Sequence, residues 1–450
     1  MNQKICLPYG PTEKQFDVPK RNLIGVAIPR DISAFSKPDE AIQEALSHPL
    51  RSDSLLDIAK NGQKIVILTS DVMRPGDYRR SILPIILDQL KRSGVKKGDI
   101  TILDAVGSHE KNTKNQWDEM YGENVTANHR VVNNNSRDCK SMVDLGKSEL
   151  GDRVVVNKLL LESDLCIGLG SIQPAVPTCG FSGGAKIYAI GAASIQTIFD
   201  THRAKTYWHP TSRSGVVVGN KFRDHIESVG KRILEESKAE FFTIDAVTNS
   251  KNNMIGVFAG ETSEVYKEGC NLAQKQWTVA LKTAADIVIG GASFPQASNP
   301  YEMNISMAMV SRYPNDILKP GGVLIFVGPC DVQPLEGSAS FEFLKLMRRF
   351  HNADEIIEQV LQHQAHEELE EPTLENFLLQ TRAYGTAMMI KNYSKILVAE
   401  PKLPELVRGM RFTPVATIQK ALDLAIQSTG NKADILVIPK TRSAVVRIEN

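Results

Sequence analysis

The 450-residue chain lacks several features that would assign it to a class at once. Its six cysteines are scattered and form no Cys-x-x-Cys pair, which argues against a cysteine-based zinc site and fits a reduced compartment. No apolar run reaches the roughly 18 residues that a membrane span needs. The first residues, MNQKICLPYG, lack the apolar region of a signal peptide. These absences predict a cytoplasmic protein with no membrane partner.

An excess of charge of one sign is also missing. The 53 lysines and arginines almost balance the 52 acidic residues, for a formal net charge of +1. Such a balance gives no electrostatic reason to expect binding to nucleic acid or to an anionic membrane. The 42% apolar and 23% charged residues are typical of a globular protein, and the length exceeds one ordinary core. The composition therefore predicts a globular chain of two domains.

Two common nucleotide motifs are absent. No Gly-x-Gly-x-x-Gly follows a predicted strand, which argues against a nicotinamide dehydrogenase. The stretch GFSGGAK, Gly180–Lys186, places a lysine after glycines. It is nevertheless a poor phosphate loop, because Ile187 stands where a Walker motif needs the serine or threonine that holds magnesium. A nucleoside triphosphatase is therefore not expected.

Short β-branched runs alternate with stretches of helical periodicity. Such alternation predicts an α/β fold, with two domains whose mainly parallel sheets are flanked by helices. Helices are predicted over Asp77–Ser93, with Ile82, Ile85, Ile86 and Leu90 on one face, and over Thr417–Thr429. The strand-like runs are Lys64–Ser70, Ile100–Val106, Asp164–Leu169, Asp286–Gly290, Gly322–Val327, Lys395–Ala399 and Asp434–Ile438.

The domain boundary is predicted near residue 270. Residues 1–270 form the catalytic, cofactor-binding domain, and residues 271–450 form a C-terminal α/β domain whose last residues could return to the first. The active site is expected in the cleft between the domains. In open α/β sheets ligands bind beyond the carboxyl ends of strands. Asp71 and Arg74 follow the first run, His109 follows the second and the GFSGGAK stretch comes after the third, so three strand ends are expected to converge on one pocket.

Lys186 has two interpretations on its residues alone. Most lysines are solvated, and a lysine beside a flexible turn is ordinarily one of them. Its apolar neighbours Ile187, Tyr188 and Ile190 favour a desolvated amine, whose lowered pKa would make it a nucleophile or a covalent anchor.

A set of motifs spread along the chain resembles the nickel-dependent lactate racemase family, whose members hold a nickel pincer nucleotide. GFSGGAK with a histidine 16 residues after its lysine is the most specific of these motifs. The resemblance implies an isomerase that acts on hydroxy acids. The segments that carry it are Leu7–Gly10, Ser70–Pro75, Gly107–His109, Gly180–Lys186, Thr197–His202 and Pro300–Asn304.

The resemblance implies a role for each matching residue. Lys186 would hold the cofactor covalently, and His202 would be the protein ligand to nickel, for which a neutral imidazole is suited. Ser182, Gly183 and Gly184 would line the cofactor. Separate maturation enzymes would supply the cofactor.

Three further residues would act on the substrate. His109 would be the general base that takes the hydroxyl proton, because the pKa of imidazole lies near the working pH. Arg74 would steer the anions of substrate or cofactor, and Asp71 would fix the geometry. The alternative for Asp71 and Arg74 is a simple turn, with Asp71 opening it and Pro75 following.

The substrate positions depart from the family. Its second catalytic histidine corresponds to Val176, and its substrate-holding glutamine and lysine correspond to Met307 and Val310. Its His-Asp pair reads Asn133-Asn134. The cofactor positions are kept while the substrate positions are not, which predicts a changed substrate, such as a larger or polyhydroxylated, sugar-acid-like 2-hydroxy acid.

The sequence leaves several candidates for the residue that replaces the second catalytic histidine of the family. His209 lies seven residues after His202, which on one helix would place both on the same face, but a surface histidine before Pro210 is the alternative. Tyr301 and Glu302 are further candidates. His363 and His366 in an acidic helical stretch could suggest a metal site, although a solvated helical face explains that pattern better. The predicted function is thus a nickel-pincer racemase or epimerase, and the alternative is a non-catalytic homologue that binds a small anion or the cofactor.

Overall fold

The computed structural model describes residues 1–174, 178–312, 317–365 and 372–449. Strands and helices alternate along the chain, and the sheets are mainly parallel, which confirms the predicted α/β class. Within the described ranges, no helix is both long and apolar enough to cross a membrane.

Every strand predicted from a β-branched run is present. In chain order the strands are β1 (Asn2–Gly10), β2 (Thr12–Pro19), β3 (Leu23–Val26), β4 (Ile65–Thr69), β5 (Ile100–Asp104), β6 (Arg130–Asn133), β7 (Met142–Lys147), β8 (Arg153–Asn157), β9 (Leu165–Ile172), β10 (Glu240–Thr248), β11 (Met254–Gly260), β12 (Thr278–Leu281), β13 (Ala285–Ser293), β14 (Leu318–Val327), β15 (Lys395–Ala399), β16 (Thr413–Val415), β17 (Ile435–Ile438) and β18 (Val445–Ile448).

The helices occupy most of the chain between the strands. They are α1 (Pro38–Ser47), α2 (Leu55–Ile58), α3 (Tyr78–Arg92), α4 (Lys114–Tyr121), α5 (Glu123–Asn128), α6 (Leu159–Glu162), α7 (Ile195–Thr201), α8 (Ala204–Tyr207), α9 (Lys221–Glu236), α10 (Thr262–Trp277), α11 (Pro300–Ser311), α12 (Ala339–Arg349), α13 (Ala353–Ala365), α14 (Leu374–Leu378), α15 (Tyr384–Asn392), α16 (Pro404–Gly409) and α17 (Ile418–Thr429). Two π-helical turns, Ile187–Gly191 and Leu379–Ala383, complete the helical elements used below.

The first sheet has the strand order β11-β10-β9-β4-β5-β6 and is parallel except for β11 at its edge. Strand β4 reads IVILT, and all of its residues are buried, as expected for a central parallel strand covered on both faces. Helix α3 buries Ile82, Ile86 and Leu90 in one apolar cluster with β4, and Ile85 packs against that cluster. The predicted apolar face of this helix is therefore confirmed.

The second sheet has the order β16-β15-β14-β13-β1-β2, with β17 pairing β13 and β3. Strand β1 joins β13 in parallel through Tyr9 and Gly10, and β2 folds back antiparallel along β1. Strand β3 pairs with β17, with Val26 opposite Val437. The first 26 residues thus belong to the second sheet.

This pairing differs from the prediction that residues 1–270 form one contiguous domain. Strand patterning shows that a segment is extended, but not which distant strand it will pair with, so the sequence alone does not separate β1 to β3 from the strands that follow them. Helix α10 packs on β10 and β11 of the first sheet and continues to Trp277. At the chain end, β18 pairs with β12, and Arg447 donates a hydrogen bond to the carbonyl of Gly215.

The two sheet units share a close contact near Trp208. Its indole nitrogen donates to the carbonyl of Gln380, 3.1 Å away, and the side chain of Gln380 accepts from the amide of Ala204 at 2.8 Å. A Cβ on Gly385 would lie 1.9 Å from the Trp208 ring, so only glycine allows α15 to come this close. This contact fixes the π-helical turn Leu379–Ala383 against the first unit.

Candidate active site

A cavity lies at the carboxyl ends of β4, β5 and β9. It is lined by Asp71 and Arg74 after β4, by His109 after β5, and by Lys186 and His202 beyond β9. The predicted convergence of three strand ends is confirmed, as expected for parallel strands whose carboxyl ends meet at one edge.

The second sheet unit closes the cavity. Tyr301 of α11, Phe377 of α14 and Arg382 of the turn Leu379–Ala383 complete its wall. The predicted position of the site between the two units is therefore the observed position of this cavity.

The turn before Lys186 requires glycine. Gly183 and Gly184 have φ of +91° and +58°, in the left-handed region. A Cβ on Gly183 would lie 2.5 Å from Ile172 and 2.8 Å from Asp245, and one on Gly184 would lie 2.7 Å from Arg223. Gly183 lines the cavity. The requirement for glycine thus comes from the protein's own side chains packed beneath the turn.

Two buried charged residues hold the peptide between Gly183 and Gly184. Asp245 of β10 accepts a hydrogen bond from the Gly184 amide at 2.7 Å. Arg223 of α9 donates to the Gly183 carbonyl at 3.0 Å, and its guanidinium lies 3.6 Å from the centroid of the Tyr266 ring. Both polar groups of one peptide are thereby fixed, which sets the direction in which Lys186 leaves the turn.

The buried carboxyl of Asp245 should give the free energy of unfolding an unusual pH dependence. Burial raises the pKa of its carboxyl from 3.8 to about 6, against the opposing effects of the Gly184 amide and Arg223. Because the folded form holds the proton more tightly, this carboxyl stabilises the fold below about pH 4. That contribution to the free energy of unfolding is lost as the pH rises from about 4 to about 6. The full loss is on the order of 3 kcal/mol at 1.36 kcal/mol per pKa unit.

We therefore expect Asp245→Asn to unfold at a higher urea concentration than the parent at pH 7, with the gain shrinking toward pH 4. The amide keeps an acceptor for Gly184 and removes the buried charge. Asp88→Asn, on the exposed side of α3, serves as the control and should show no such trend. A variant less stable than the parent at pH 7 would show that the ionised carboxylate is needed for the fold.

The amine of Lys186 faces the cavity and is not a solvated surface group. Burial lowers its pKa to about 8, and the positive charge of Arg74 adds to this effect. An amine with this pKa is partly neutral at physiological pH, and the neutral amine is the nucleophilic form.

His202 presents one free ring nitrogen. It caps α7, and its Nδ1 donates to the Ile198 carbonyl at 2.7 Å. The ring stacks on Tyr207 and meets Phe222 edge-on, with centroids 5.5 and 4.7 Å away. Nε2 has no hydrogen-bond partner in the described part of the chain. Burial, with the charge of Lys186 adding, lowers the pKa of His202 to about 3, so the imidazole is neutral, as a metal ligand must be.

His109 and Asp71 form a hydrogen-bonded pair through Nδ1 and Oδ2. The Asp71 side chain is 5% exposed and that of His109 is 47% exposed. Burial opposes ionisation of Asp71, but His109, with Arg74 and Arg79, holds its pKa below the ordinary value. An ionised carboxylate only accepts hydrogen bonds, so Nδ1 carries the proton and Nε2 is the basic nitrogen.

Arg74 and Ser182 differ in how they face the cavity. The guanidinium of Arg74 lines it and forms no ion pair with any residue in the described ranges. The hydroxyl of Ser182 donates to the Ser171 carbonyl at 2.6 Å and accepts from the Gln173 amide at 3.2 Å. Ser182 therefore braces the loop that carries Gly183, in addition to lining the cavity.

The premise that His202 and His209 lie on one helix is wrong. Helix α7 ends at Thr201, α8 covers only Ala204–Tyr207, and the extended backbone of Arg203 separates them. The ring of His209 bonds to Thr211 at 3.0 Å, and this histidine does not line the cavity.

Of the other two candidates for a second base, only one faces the cavity. Glu302 pairs with Arg442 at 3.2 Å and lies outside the lining. Tyr301 lines the cavity, and its hydroxyl accepts a hydrogen bond from Arg382 at 3.1 Å.

The positions that depart from the family pattern place no polar side chain in the inner cavity where they are described. Met307 and Val310 are buried on α11 and do not line it. Asn133 is bonded to the backbone of Asn112, and Asn134 to Ala193. Val176 lies outside the described residues.

The histidine pair in the acidic stretch is described only in part, because His366 lies outside the described residues. His363 is on α13, within contact of Gln359. Across the described ranges, no group of three or more histidine, cysteine, aspartate or glutamate side chains could hold a metal ion.

Several residues at the site carry no sequence signal. Arg382, Tyr207, Arg223 and Asp245 lie in ordinary helix or strand patterns far from GFSGGAK along the chain. Only their tertiary contacts bring them to the cavity or to the turn beneath it.

Comparisons with known families cover most of the chain. Residues 9–215 match the model of the lactate racemase N-terminal domain, and residues 280–446 match that of the lactate racemase C-terminal domain. The chain belongs to the lactate racemase family. This membership confirms the family expected from the motifs and the predicted enzyme class, an isomerase of hydroxy acids.

The relatives span the full length of the chain. It is 28% identical to a lactate racemase of Thermoanaerobacterium thermosaccharolyticum over 446 residues, covering 98% of this chain and 99% of that one. It is 26% identical to a lactate racemase of Lactiplantibacillus plantarum over 447 residues, with the same coverage.

Solved structures are also similar to the chain. The apoprotein of lactate racemase from T. thermosaccharolyticum superposes with a TM-score of 0.84 at 27% identity, over 99% of this chain and 100% of that one. A protein from Thermotoga maritima superposes with a TM-score of 0.67 at 16% identity, over 91% and 98% of the two chains, which shows a shared fold alone.

Proposed function

We propose that this protein is a racemase or epimerase of 2-hydroxy acids that depends on a nickel pincer nucleotide, with a polyhydroxylated, sugar-acid-like substrate rather than lactate. One observation carries the proposal. The desolvated amine of Lys186, the free Nε2 of His202 and the Asp71–His109 pair line a single cavity. A protein that only binds a small anion has no need of this combination.

The residues present fit the cofactor. Lys186 offers an amine that can be attached covalently, and His202 offers one neutral imidazole nitrogen, a donor suited to nickel. No described cluster of further metal-binding side chains surrounds them. The other donors would therefore come from the cofactor itself, as its pincer form requires. Arg74 and Arg382 would favour an anionic nucleotide in the same cavity.

When bound, the nickel group would supply the acceptor and donor for the hydride of the substrate carbon. The chain's own residues would handle the proton. His109 Nε2 would take the hydroxyl proton of one enantiomer, and Asp71 would hold the ring in the correct tautomer. For the opposite enantiomer, whose hydroxyl points elsewhere, we assign proton transfer to Tyr301, which would donate its own hydroxyl proton to the substrate oxygen. Exchange with water would then remove the proton from His109 and return one to Tyr301.

The proposed substrate size rests on a groove that continues from the cavity. The inner cavity encloses about 130 Å³, and the groove, which shares Gly107, Ser108, His109 and Tyr301 with it, encloses about 720 Å³. Amide and basic side chains line this groove, among them Asn135, Arg137 and Gln333. Such groups hydrogen-bond to hydroxyls, so a chain of hydroxyl-bearing carbons would be accommodated there.

A substrate panel tests the proposal. The protein is made together with the enzymes that mature the cofactor, and inversion at C2 of lactate, glycerate, threonate and gluconate is followed by chiral chromatography. We expect kcat/KM for gluconate or threonate to exceed that for lactate by at least about tenfold, since each lost or gained polar contact is worth roughly 1 kcal/mol or more.

The C2 hydrogen should be retained in the product, because it travels as hydride and does not exchange with water. Inversion of lactate alone would contradict the assigned substrate. A fully loaded protein that inverts none of the four acids would favour the non-catalytic alternative.

A further inference from the structure

Arg382 is a buried cation at the wall of the cavity. The residue is 6% exposed and lies on the π-helical turn Leu379–Ala383, a distortion that is frequent at functional sites. Nη1 donates to the hydroxyl of Tyr207 and to the carbonyl of Thr381, both at 3.1 Å. Nη2 donates to the hydroxyl of Tyr301, also at 3.1 Å. Nε has no partner.

These contacts are all to neutral groups. No carboxylate in the described ranges forms an ion pair with Arg382. Two other buried arginines do have one, since Arg442 pairs with Glu302 at 3.2 Å and Arg203 with Asp200 at 3.0 Å, whereas Arg79 and Arg312 have none in the described ranges. A buried guanidinium without a counter-ion is costly, so the cavity is poised to receive an anion beside it.

The geometry of the guanidinium suits a carboxylate. Of its five N–H donors, three are used by the tyrosines and Thr381, and the two that remain are on Nε and Nη2. Because Nε is buried from solvent, the donor that remains for a ligand is the one on Nη2. Charge-assisted hydrogen bonds from arginine to carboxylates are strong, and the two tyrosines hold the guanidinium in place at the cavity that Arg382 lines.

The substrate needs such an anchor. Met307 and Val310 bring no charge to the cavity, because both side chains are apolar, buried and outside its lining. Arg74, the other lining arginine, has the ionised Asp71 in the same loop, which offsets its charge. Arg382 comes from the other sheet unit, and no acid in the described ranges forms an ion pair with it.

We propose that Arg382 binds the carboxylate of the substrate, with Tyr207 and Tyr301 as its positioning residues. The inference rests on the proposed function, because it assumes a 2-hydroxy acid as the ligand. It adds the residue that replaces the missing carboxylate-binding side chains and places it on the second sheet unit.

The test begins with titration calorimetry of the cofactor-free protein. Lactate, gluconate, the uncharged polyol glucitol and inorganic phosphate are titrated into the parent, Arg382→Met and Arg382→Lys. We expect a carboxylate to bind the parent, to lose about 10- to 100-fold in affinity in Arg382→Met, and to lose less in Arg382→Lys, because a charge-assisted hydrogen bond is worth roughly 1.5–3 kcal/mol. Neither substitution should change the affinity for glucitol.

Arg312→Met is the matched control. Arg312 is equally buried, stacks on Trp208 at 4.7 Å from its ring centroid and lies outside the cavity, so its loss should not change carboxylate binding. Melting temperatures of all variants separate folding defects from binding defects, and Arg382→Lys keeps the test valid if the methionine variant does not fold.

The loaded enzyme distinguishes the two sources of an anion. If Arg382 binds the substrate, Arg382→Lys is loaded at Lys186 like the parent, with a raised KM and a kcat changed only a few-fold. A variant that loses phosphate binding or cofactor loading instead would assign Arg382 to the cofactor phosphate and overturn the proposal. Equal carboxylate binding by parent and Arg382→Met, or none by the parent, would overturn it too. An unmodified Lys186 in the parent refutes the cofactor and leaves the titrations as an independent result.

Discussion

Lys186→Ala is expected to abolish racemase activity, by at least about 10⁴-fold, because the cofactor carries the hard chemistry and this lysine is its only covalent anchor in the proposal. The fold should be unaffected. The amine makes no hydrogen bond or ion pair with the described residues, and its lowered pKa shows that the charge is held at a cost. The melting temperature should stay unchanged or rise slightly.

A second substitution at Lys186 and a control lysine test this expectation further. Lys186→Arg keeps the charge and most of the volume, but guanidinium stays protonated and is not a nucleophile, so it should be as inactive as the alanine variant. Lys91→Ala, at the exposed end of α3, is the control and should be loaded and active. Substantial activity in either Lys186 variant would show that the cofactor is not held through this residue.

His109→Gln is expected to lower kcat/KM for inversion by about 10²- to 10⁴-fold in both directions, because the group that takes the hydroxyl proton in one direction returns it in the other. Asp71→Asn should lower kcat/KM less, because the imidazole remains and loses only the partner that fixes its tautomer. Tyr301→Phe, which removes the hydroxyl that Arg382 holds, should also slow inversion in both directions.

The measurement is the formation of the 2-keto acid from each pure enantiomer in a single turnover, together with the rate of inversion, with cofactor loading determined for every variant. Loss of 2-keto acid formation from one enantiomer in His109→Gln and from the other in Tyr301→Phe would support a base on each side of the substrate. Equal effects of Tyr301→Phe on 2-keto acid formation from both enantiomers would argue that the tyrosine only positions Arg382. His209→Gln should be close to the parent, because that ring bonds to Thr211 outside the cavity.

The fold was predictable where local pattern decides it. The buried run of β4 and the apolar face of α3 are set by the residues in those segments, and alternation of such segments predicts parallel sheets. The long-range partners of β1 and β3 were not predictable, because their pairing with β13 and β17 depends on segments more than 250 residues away. Domain boundaries drawn along the chain fail for this reason.

The residues of the site form the same two groups, those that local sequence places and those that only tertiary packing places. Asp71, Arg74, His109, Lys186 and His202 lie in short motifs at strand ends, where sequence order already places them near one edge of the sheet. The role of His209 as a second base requires one helix from His202 to His209, whereas the chain breaks between α7 and α8 at Arg203.

Arg382 and Asp245 reach the site only through tertiary packing. The turn that carries Arg382 is held by the hydrogen bond from Trp208 to Gln380. Asp245 lies on β10 and accepts a hydrogen bond from the amide of Gly184, which follows β9 in the chain. No local pattern in a single sequence contains these contacts.

The central claim is that Lys186 is the covalent seat of a nickel-holding cofactor whose metal is bound by His202. The most direct measurement is mass spectrometry of the peptide that contains Lys186, together with the nickel content, on protein made with and without the cofactor maturation enzymes. The account predicts an added mass on Lys186 and about one nickel per chain only when those enzymes are present, with the nickel lost in His202→Gln while the added mass remains. An unmodified Lys186 and no bound nickel in protein made with the maturation enzymes would contradict the account.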